Sequence, residues 1–177
     1  MIALFNLSEK KDERFDGALC LQKQKVMKRT AKAHWTGDLN TGHGELTTES
    51  TVLNQTQYSY NSRFAQGVGS NPEELLAAAH AGCFTMALAY ALSQKGFTAN
   101  ELETTAAVSV DLSKGGITGI ELTLNASAII GLSGETFLAI AHASERNCPV
   151  SKALTGVKIT LNVDYGVLHP EAGANLR

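Results

Sequence analysis

One stretch constrains this chain more than any other. Asn71 to Gly96 reads as a single helix with almost no polar side. Asn71 can cap its start, Pro72 suits the first turn, and Glu73 and Glu74 complement the positive helix end. Lys95 and Gly96 supply a cation and a C′ glycine at the other end. Leu75 to Leu92 carries no charge at all. A helix that is apolar all round must be covered on nearly every side. The run meets the lower length for crossing a bilayer, about 18 residues. It is mostly alanine, however, His80 and Thr85 interrupt it, and only one end carries a cation. A helix buried inside protein is the better reading.

The rest of the chain supports that choice. With 177 residues, 44% of them hydrophobic, it is long enough for one domain with its own core. A net charge of −2 without a basic run gives no case for nucleic acid or an anionic membrane surface as partner. Met1 to Leu7 is too short for a secretory leader and is followed by Glu9-Lys-Lys-Asp-Glu-Arg14, so a cytoplasmic protein is expected. Thiols stay reduced there unless chemistry oxidises them. The cysteines, Cys20, Cys83 and Cys148, form no C-x-x-C pair and no zinc spacing. His34, His43, His142 and His169 share no ligand spacing, so neither metal nor cofactor is expected.

Residues 1–26 show no sustained period and read as an extension, with Cys20 an incidental thiol and Met27 an alternative start. The domain proper is expected over 27–167, followed by a polar tail over 168–177. Thr30 to Trp35, Glu45 to Val52 and Gln57 to Phe64 read as a three-stranded antiparallel meander, which puts Arg63 at a strand end. Beyond the long helix, Val108 to Leu112 and Ile120 to Ile130 alternate as strands around a turn at Lys114-Gly115-Gly116. Ser133 caps a second helix, Glu135 to Arg146. Pro149 opens a short one, Val150 to Leu154, and Val157 to Val163 is a last strand. The order is α+β, with two small antiparallel sheets wrapped around a long central helix. Two such sheets are little cover for that helix, so a homodimer with a large apolar interface is expected.

The chemistry centres on Cys83. A buried cysteine is usually inert filler. Three features favour more: small Ala81-Gly82 before it, a second thiol at the Cys148-Pro149 helix break, and Arg63 in an aromatic segment just ahead of the helix. Cys83 lies roughly 16 Å beyond Pro72 along the axis. The helix dipole fades within the first turn and cannot ionise it. A guanidinium is the available remedy, and Arg63 is the candidate. His80, one turn before Cys83, could tune it, but a hydrogen-bonded buried histidine is the plainer reading.

Four segments carry a family resemblance: Tyr60-Asn-Ser-Arg-Phe64, Asn71-Pro-Glu-Glu-Leu75, Ala79-His-Ala-Gly-Cys-Phe84 and Cys148-Pro-Val-Ser151. Together they resemble the OsmC/Ohr family, the osmotically inducible and organic-hydroperoxide-resistance proteins, with Cys148-Pro-Val-Ser151 closer to the OsmC branch. The resemblance implies a thiol-dependent peroxidase that reduces organic hydroperoxides, and hydrogen peroxide less well, in oxidative and osmotic stress. It makes Cys83 the peroxidatic cysteine and Cys148 the resolving one. Arg63 becomes the arginine that stabilises the thiolate, and Glu73 the carboxylate that holds it. It implies an intertwined homodimer, and a small dithiol or lipoyl group as reductant. Glu73 and Cys83 are ten residues apart on one helix, roughly 15 Å. Arg63 and Glu73 are therefore expected to serve Cys83 of the partner chain. Phe64, Phe84, Met86 and Tyr60 could wall an apolar substrate site, or simply pack the core.

Two other classes stay open on the residues alone. A hot-dog thioesterase also wraps strands around a long helix but would need neither cysteine. A redox sensor or hydrophobic-ligand binder would use the thiols without turnover.

Overall fold

The computed structural model describes residues 26–167. The expectations for 1–25, Cys20 among them, and for the tail from 168 lie outside the described residues. The long helix, here α2, runs Pro72–Ser93, and the side chain of its cap Asn71 accepts from the Glu74 N–H at 2.9 Å. Its far end closes as a Schellman motif. Phe97 N–H donates to Leu92 O and Gly96 N–H to Ser93 O, both at 3.0 Å. Gly96 takes the left-handed φ of +80° that this motif requires. In chain order the elements before α2 are β1 (Ala31–Thr36), β2 (His43–Thr48), β3 (Thr56–Tyr58) and a short α1 (Tyr60–Phe64). After it come β4 (Leu102–Asp111), β5 (Gly116–Ala126), α3 (Gly134–Asn147), α4 (Pro149–Ala153) and β6 (Lys158–Tyr165).

The core belongs to the second half of the chain. Strands β4, β5 and β6 form one sheet, with β5 central. Every second residue turns inward: Ala106 and Val108 on β4, Ile120, Leu122 and Leu124 on β5, Ile159 and Leu161 on β6. Against them lie Phe84, Leu88 and Leu92 of α2 and Phe137, Ile140 and Ala141 of α3. Each large side chain fully buried here contributes about 1.5–3 kcal/mol. Truncating Phe84, which has no exposed surface, to alanine should cost about 3–5 kcal/mol. The opposite face of the sheet is polar, with Glu103, Thr105, Glu121, Thr160 and Asn162.

This sheet corrects one expectation. Strands β4 and β5 are antiparallel, but β6 runs parallel to β5, pairing Gly119 with Lys158 through Ala126 with Tyr165. The connection carries two helices, and such a crossover returns the chain to the end where the strand began. Alternation reveals which face of a strand is buried, not which way the strand runs.

The first sheet, β1-β2-β3, is an antiparallel meander as expected, but its third strand is short. Residues 60–64 are helical, so Arg63 stands on α1 and not at a strand end. The cause is local. Ser59 Oγ accepts from Ser62 N–H at 3.1 Å, and Ser62 Oγ accepts from Ser59 N–H at 2.9 Å. This reciprocal capping box starts a helix against the aromatic alternation. No residue of β1, β2 or β3 joins the hydrophobic core.

The covering of α2 is equally one-sided. Only His80, Phe84, Leu88 and Leu92 are buried, a stripe at four-residue spacing. Ala79, Gly82, Met86, Ala89 and Tyr90 lie exposed on the other side, Met86 at 75% and Tyr90 at 66%. A Cβ added at Gly82 would meet nothing within 4 Å. Within one chain the apolar helix is thus half covered.

Candidate functional site

Arg63 is delivered by a compact corner. Ser62 Oγ donates to Ser70 O at 2.9 Å, and the backbone of Ser70 bridges to Tyr58. The corner closes tightly at Gly69, where φ is +123° and a Cβ would stand 2.5 Å from Gln57 O. The first turn of α2 follows directly and presents Glu73. Arg63 Nη2 donates to Glu73 Oε1 at 2.7 Å, and Arg63 Nε reaches Oε1 at 3.1 Å and Oε2 at 3.3 Å. Two nitrogens of one guanidinium grip one carboxylate. Arg63 holds the Glu73 carboxyl below its usual range, chiefly by hydrogen bonding and less by charge. The guanidinium also lies over the Phe64 ring, 4.9 Å from its centroid.

Beside this pair opens a cavity of about 340 Å³, lined by Trp35, Tyr58, Tyr60, Arg63 and Phe64 among others. Four of its walls are aromatic, with Leu39 and Pro72 adding apolar surface and Arg63 the one charge. Trp35 and Tyr58 meet at 5.4 Å between centroids, Tyr60 and Phe64 at 5.0 Å. Of the four residues considered for an apolar wall, Tyr60 and Phe64 line this cavity. Phe84 is fully buried in the core, and Met86 is on the uncovered face of α2. Trp35 was not singled out from sequence. It lies on β1, distant in the chain from Arg63, and only the register of the meander places it here.

The thiols form a separate cluster. Cys83 is half-buried on α2, and Cys148 is fully buried where α3 ends and α4 begins. Both are free. Pro149 occupies the first turn of α4 and forces the break. Burial pushes the Cys83 thiol above its ordinary pKa, the Val150 backbone amide pulls it down, and the adjacent Cys148 thiol adds to the rise. No cation contributes to its state. Arg63 is engaged ten residues nearer the helix start, with Glu73, about 15 Å along the axis. The structure of one chain therefore joins Cys83 to Cys148 and Arg63 to Glu73, but not the first pair to the second.

His80 is buried beside the thiols. Its Nε2 is 2.9 Å from Ser151 Oγ, while Nδ1 is buried without a partner. Burial lowers its pKa, with Glu145 acting in the opposite sense, so the ring is neutral at pH 7. Which of His80 and Ser151 donates follows from the tautomer of the ring, since both carry a donor and an acceptor. The plainer reading of His80 is right for one of its two nitrogens. Ser151 had no assigned role.

The OsmC-like protein family matches residues 65–162. Peroxiredoxin OsmC of Escherichia coli K12 is 42% identical over 138 residues, covering 77% of this chain and 94% of the relative. Among solved structures, the organic hydroperoxide resistance protein OhrB of Bacillus subtilis superposes with a TM-score of 0.55 at 31% identity, covering 76% of this chain and 98% of that one. An organic hydroperoxide resistance protein OsmC from Legionella pneumophila gives 0.60 at 28% identity, covering 78% and 98%. With a family match over more than half its length and a relative this similar, the chain belongs to the OsmC-like protein family.

Proposed function

We propose that this protein is a thiol-dependent peroxidase that reduces organic hydroperoxides to alcohols, with Cys83 as the attacking and Cys148 as the resolving cysteine. The observation that carries the reading is the contact of two free thiols inside a chain with no cysteine pair close in sequence. The Cys83 thiolate takes the distal hydroxyl oxygen of the hydroperoxide. The O–O bond breaks, the departing alkoxide takes a proton, and Cys83 becomes a sulfenic acid. Cys148 attacks that sulfur, water leaves, and a Cys83–Cys148 disulfide remains. An external dithiol, a small molecule or a lipoyl group, reopens it and takes up the oxidation.

The raised pKa of Cys83 makes a lone chain a poor catalyst, because the thiolate is the nucleophile. The reading therefore includes an intertwined homodimer in which Arg63 and Glu73 of the partner chain reach Cys83. Three features support it: the uncovered apolar face of α2, a first sheet that adds nothing to its own core, and an arginine–glutamate pair held away from its own thiol. The aromatic cavity at Arg63 would then seat the organic part of the substrate, with the guanidinium at the developing alkoxide. Hydrogen peroxide lacks that organic part and would be reduced less efficiently. A domain over 27–167 in a cytoplasmic setting, where dithiol reductants are available, completes the proposal.

The test is one equivalent of cumene hydroperoxide added to reduced protein, with disulfides mapped by mass spectrometry. A Cys83–Cys148 link formed in seconds, and steady turnover with dihydrolipoamide, are expected. Full hydroperoxide reduction by Cys83→Ser would overturn the assignment.

A further inference from the structure

The polar tie beside the thiols has a geometry of its own. On α2, His80 stands three residues before Cys83; on the other segment, Ser151 stands three residues after Cys148. His80 bonds Ser151, and Cys83 adjoins Cys148. The two pairs are successive rungs between segments whose order is reversed, one helical turn apart. Helix α4 needs such a rung. It has only five residues and no side-chain cap. Its first residue is a proline, which contributes no backbone donor. His80–Ser151 is a side-chain to side-chain hydrogen bond from α2 to α4, and it adds to the Val150 backbone amide that faces the Cys83 thiol. Both ends are buried, His80 at 0% exposure and Ser151 at 6%, so water does not compete for it.

We infer that His80 and Ser151 are positioning residues for the resolving half of the reaction, holding α4 in the register that presents Cys148 to Cys83. This rests on the peroxidase reading above. The step they serve is the second one: the Cys148 thiol loses its proton, its sulfur bonds to Cys83 Sγ, the S–O bond breaks, and hydroxide leaves with the proton as water. Oxidation of Cys83 by peroxide draws on α4 through the Val150 amide but does not require it to present a thiol, whereas resolution requires both. The tie should therefore divide the two half-reactions, and loss of it should lengthen the life of the sulfenic acid. A sulfenic acid that waits meets further peroxide and becomes sulfinic.

The experiment uses the full-length reduced protein. One equivalent of cumene hydroperoxide is mixed in rapid quench with a dimedone probe, and sulfenic, sulfinic and disulfide forms of Cys83 are counted by mass spectrometry. For Ser151→Ala and His80→Leu, the ratio of disulfide-forming rate to Cys83 oxidation rate should fall about fivefold or more, with more trapped and sulfinic Cys83. Ser151→Thr keeps a hydroxyl and His80→Gln keeps an amide that can donate or accept; both should recover most of the ratio, which general loosening of the fold would not predict. If either destabilising variant fails to fold by circular dichroism, the other carries the measurement. An unchanged ratio in whichever variant folds, or no recovery in the conservative ones, overturns the inference. If wild type itself forms no Cys83–Cys148 disulfide, the peroxidase reading falls and takes this one with it.

Discussion

Arg63 and Glu73 lock together through two guanidinium nitrogens at the start of α2, where Glu73 stands ten residues before its own chain's Cys83. The pair is pre-formed, and its reach is fixed by the helix that carries one half of it. Activation across a subunit boundary has a direct consequence. Neither Arg63→Ala nor Cys83→Ser alone should turn over hydroperoxide well. Co-expressed in equal amounts, they should recover about a quarter of wild-type activity, because half of the dimers are mixed and each mixed dimer holds one complete site. No recovery in a mixture verified to contain mixed dimers would place the whole site within one chain.

Arginine is needed for charge and for shape. Arg63→Ala should lower kcat/KM for cumene hydroperoxide by about 10²-fold. Arg63→Lys should restore it only in part, since an ammonium cannot grip Glu73 through two nitrogens. The pH profile carries the sign. Burial already pushes the Cys83 thiol up, so without the guanidinium the thiolate fraction at neutral pH is small. The rate of Arg63→Ala should climb with pH, about tenfold per unit until the thiol ionises. A flat profile from pH 6 to 9 would disprove that role.

Met86 is the sharper probe of the uncovered helix face. It is 75% exposed in one chain and lies outside the buried core, so a charge there should leave the fold of the single chain intact. On a dimer interface the same charge is buried and unpaired. Met86→Glu should sediment as a monomer and lose most activity with every thiol present. A dimer of wild-type stability would exclude this face as the contact.

Stability should respond to His80. Its ring is neutral in the fold, with its pKa below the ordinary 6.5 because of burial, partly offset by Glu145. The unfolded chain then binds more protons than the folded one between those two values. Stability is fully present above about pH 6.5 and declines as pH falls toward the folded pKa. His80→Gln should flatten that part of the urea-midpoint profile between pH 7 and 5. Thiols adjoin this site, so the measurement belongs under reducing conditions.

Much of this was legible along the chain because the signals are local. The cap at Asn71, the Pro72 start and the Gly96 stop delimit α2 within a few bonds of where they act. Alternation in β4, β5 and β6 names their inward faces for the same reason. Local signals also explain one misreading. Tyr58 to Phe64 looks like an aromatic strand, but the Ser59–Ser62 exchange turns residues 60–64 into a helix.

What one sequence could determine, then, is where most helices and strands lie, and it is the sequence that nominates Cys83, Cys148, Arg63 and Glu73 for the proposed chemistry. Tertiary structure shows the contacts themselves, Cys83 beside Cys148 and Arg63 on Glu73. The parallel run of β6, Trp35 on the cavity wall and the His80–Ser151 tie all join residues far apart in the chain. Such contacts follow from how whole elements pack, and burial of apolar area is non-directional. It drives α2 against the sheet without specifying that His80 should meet Ser151, which only the three-dimensional register does.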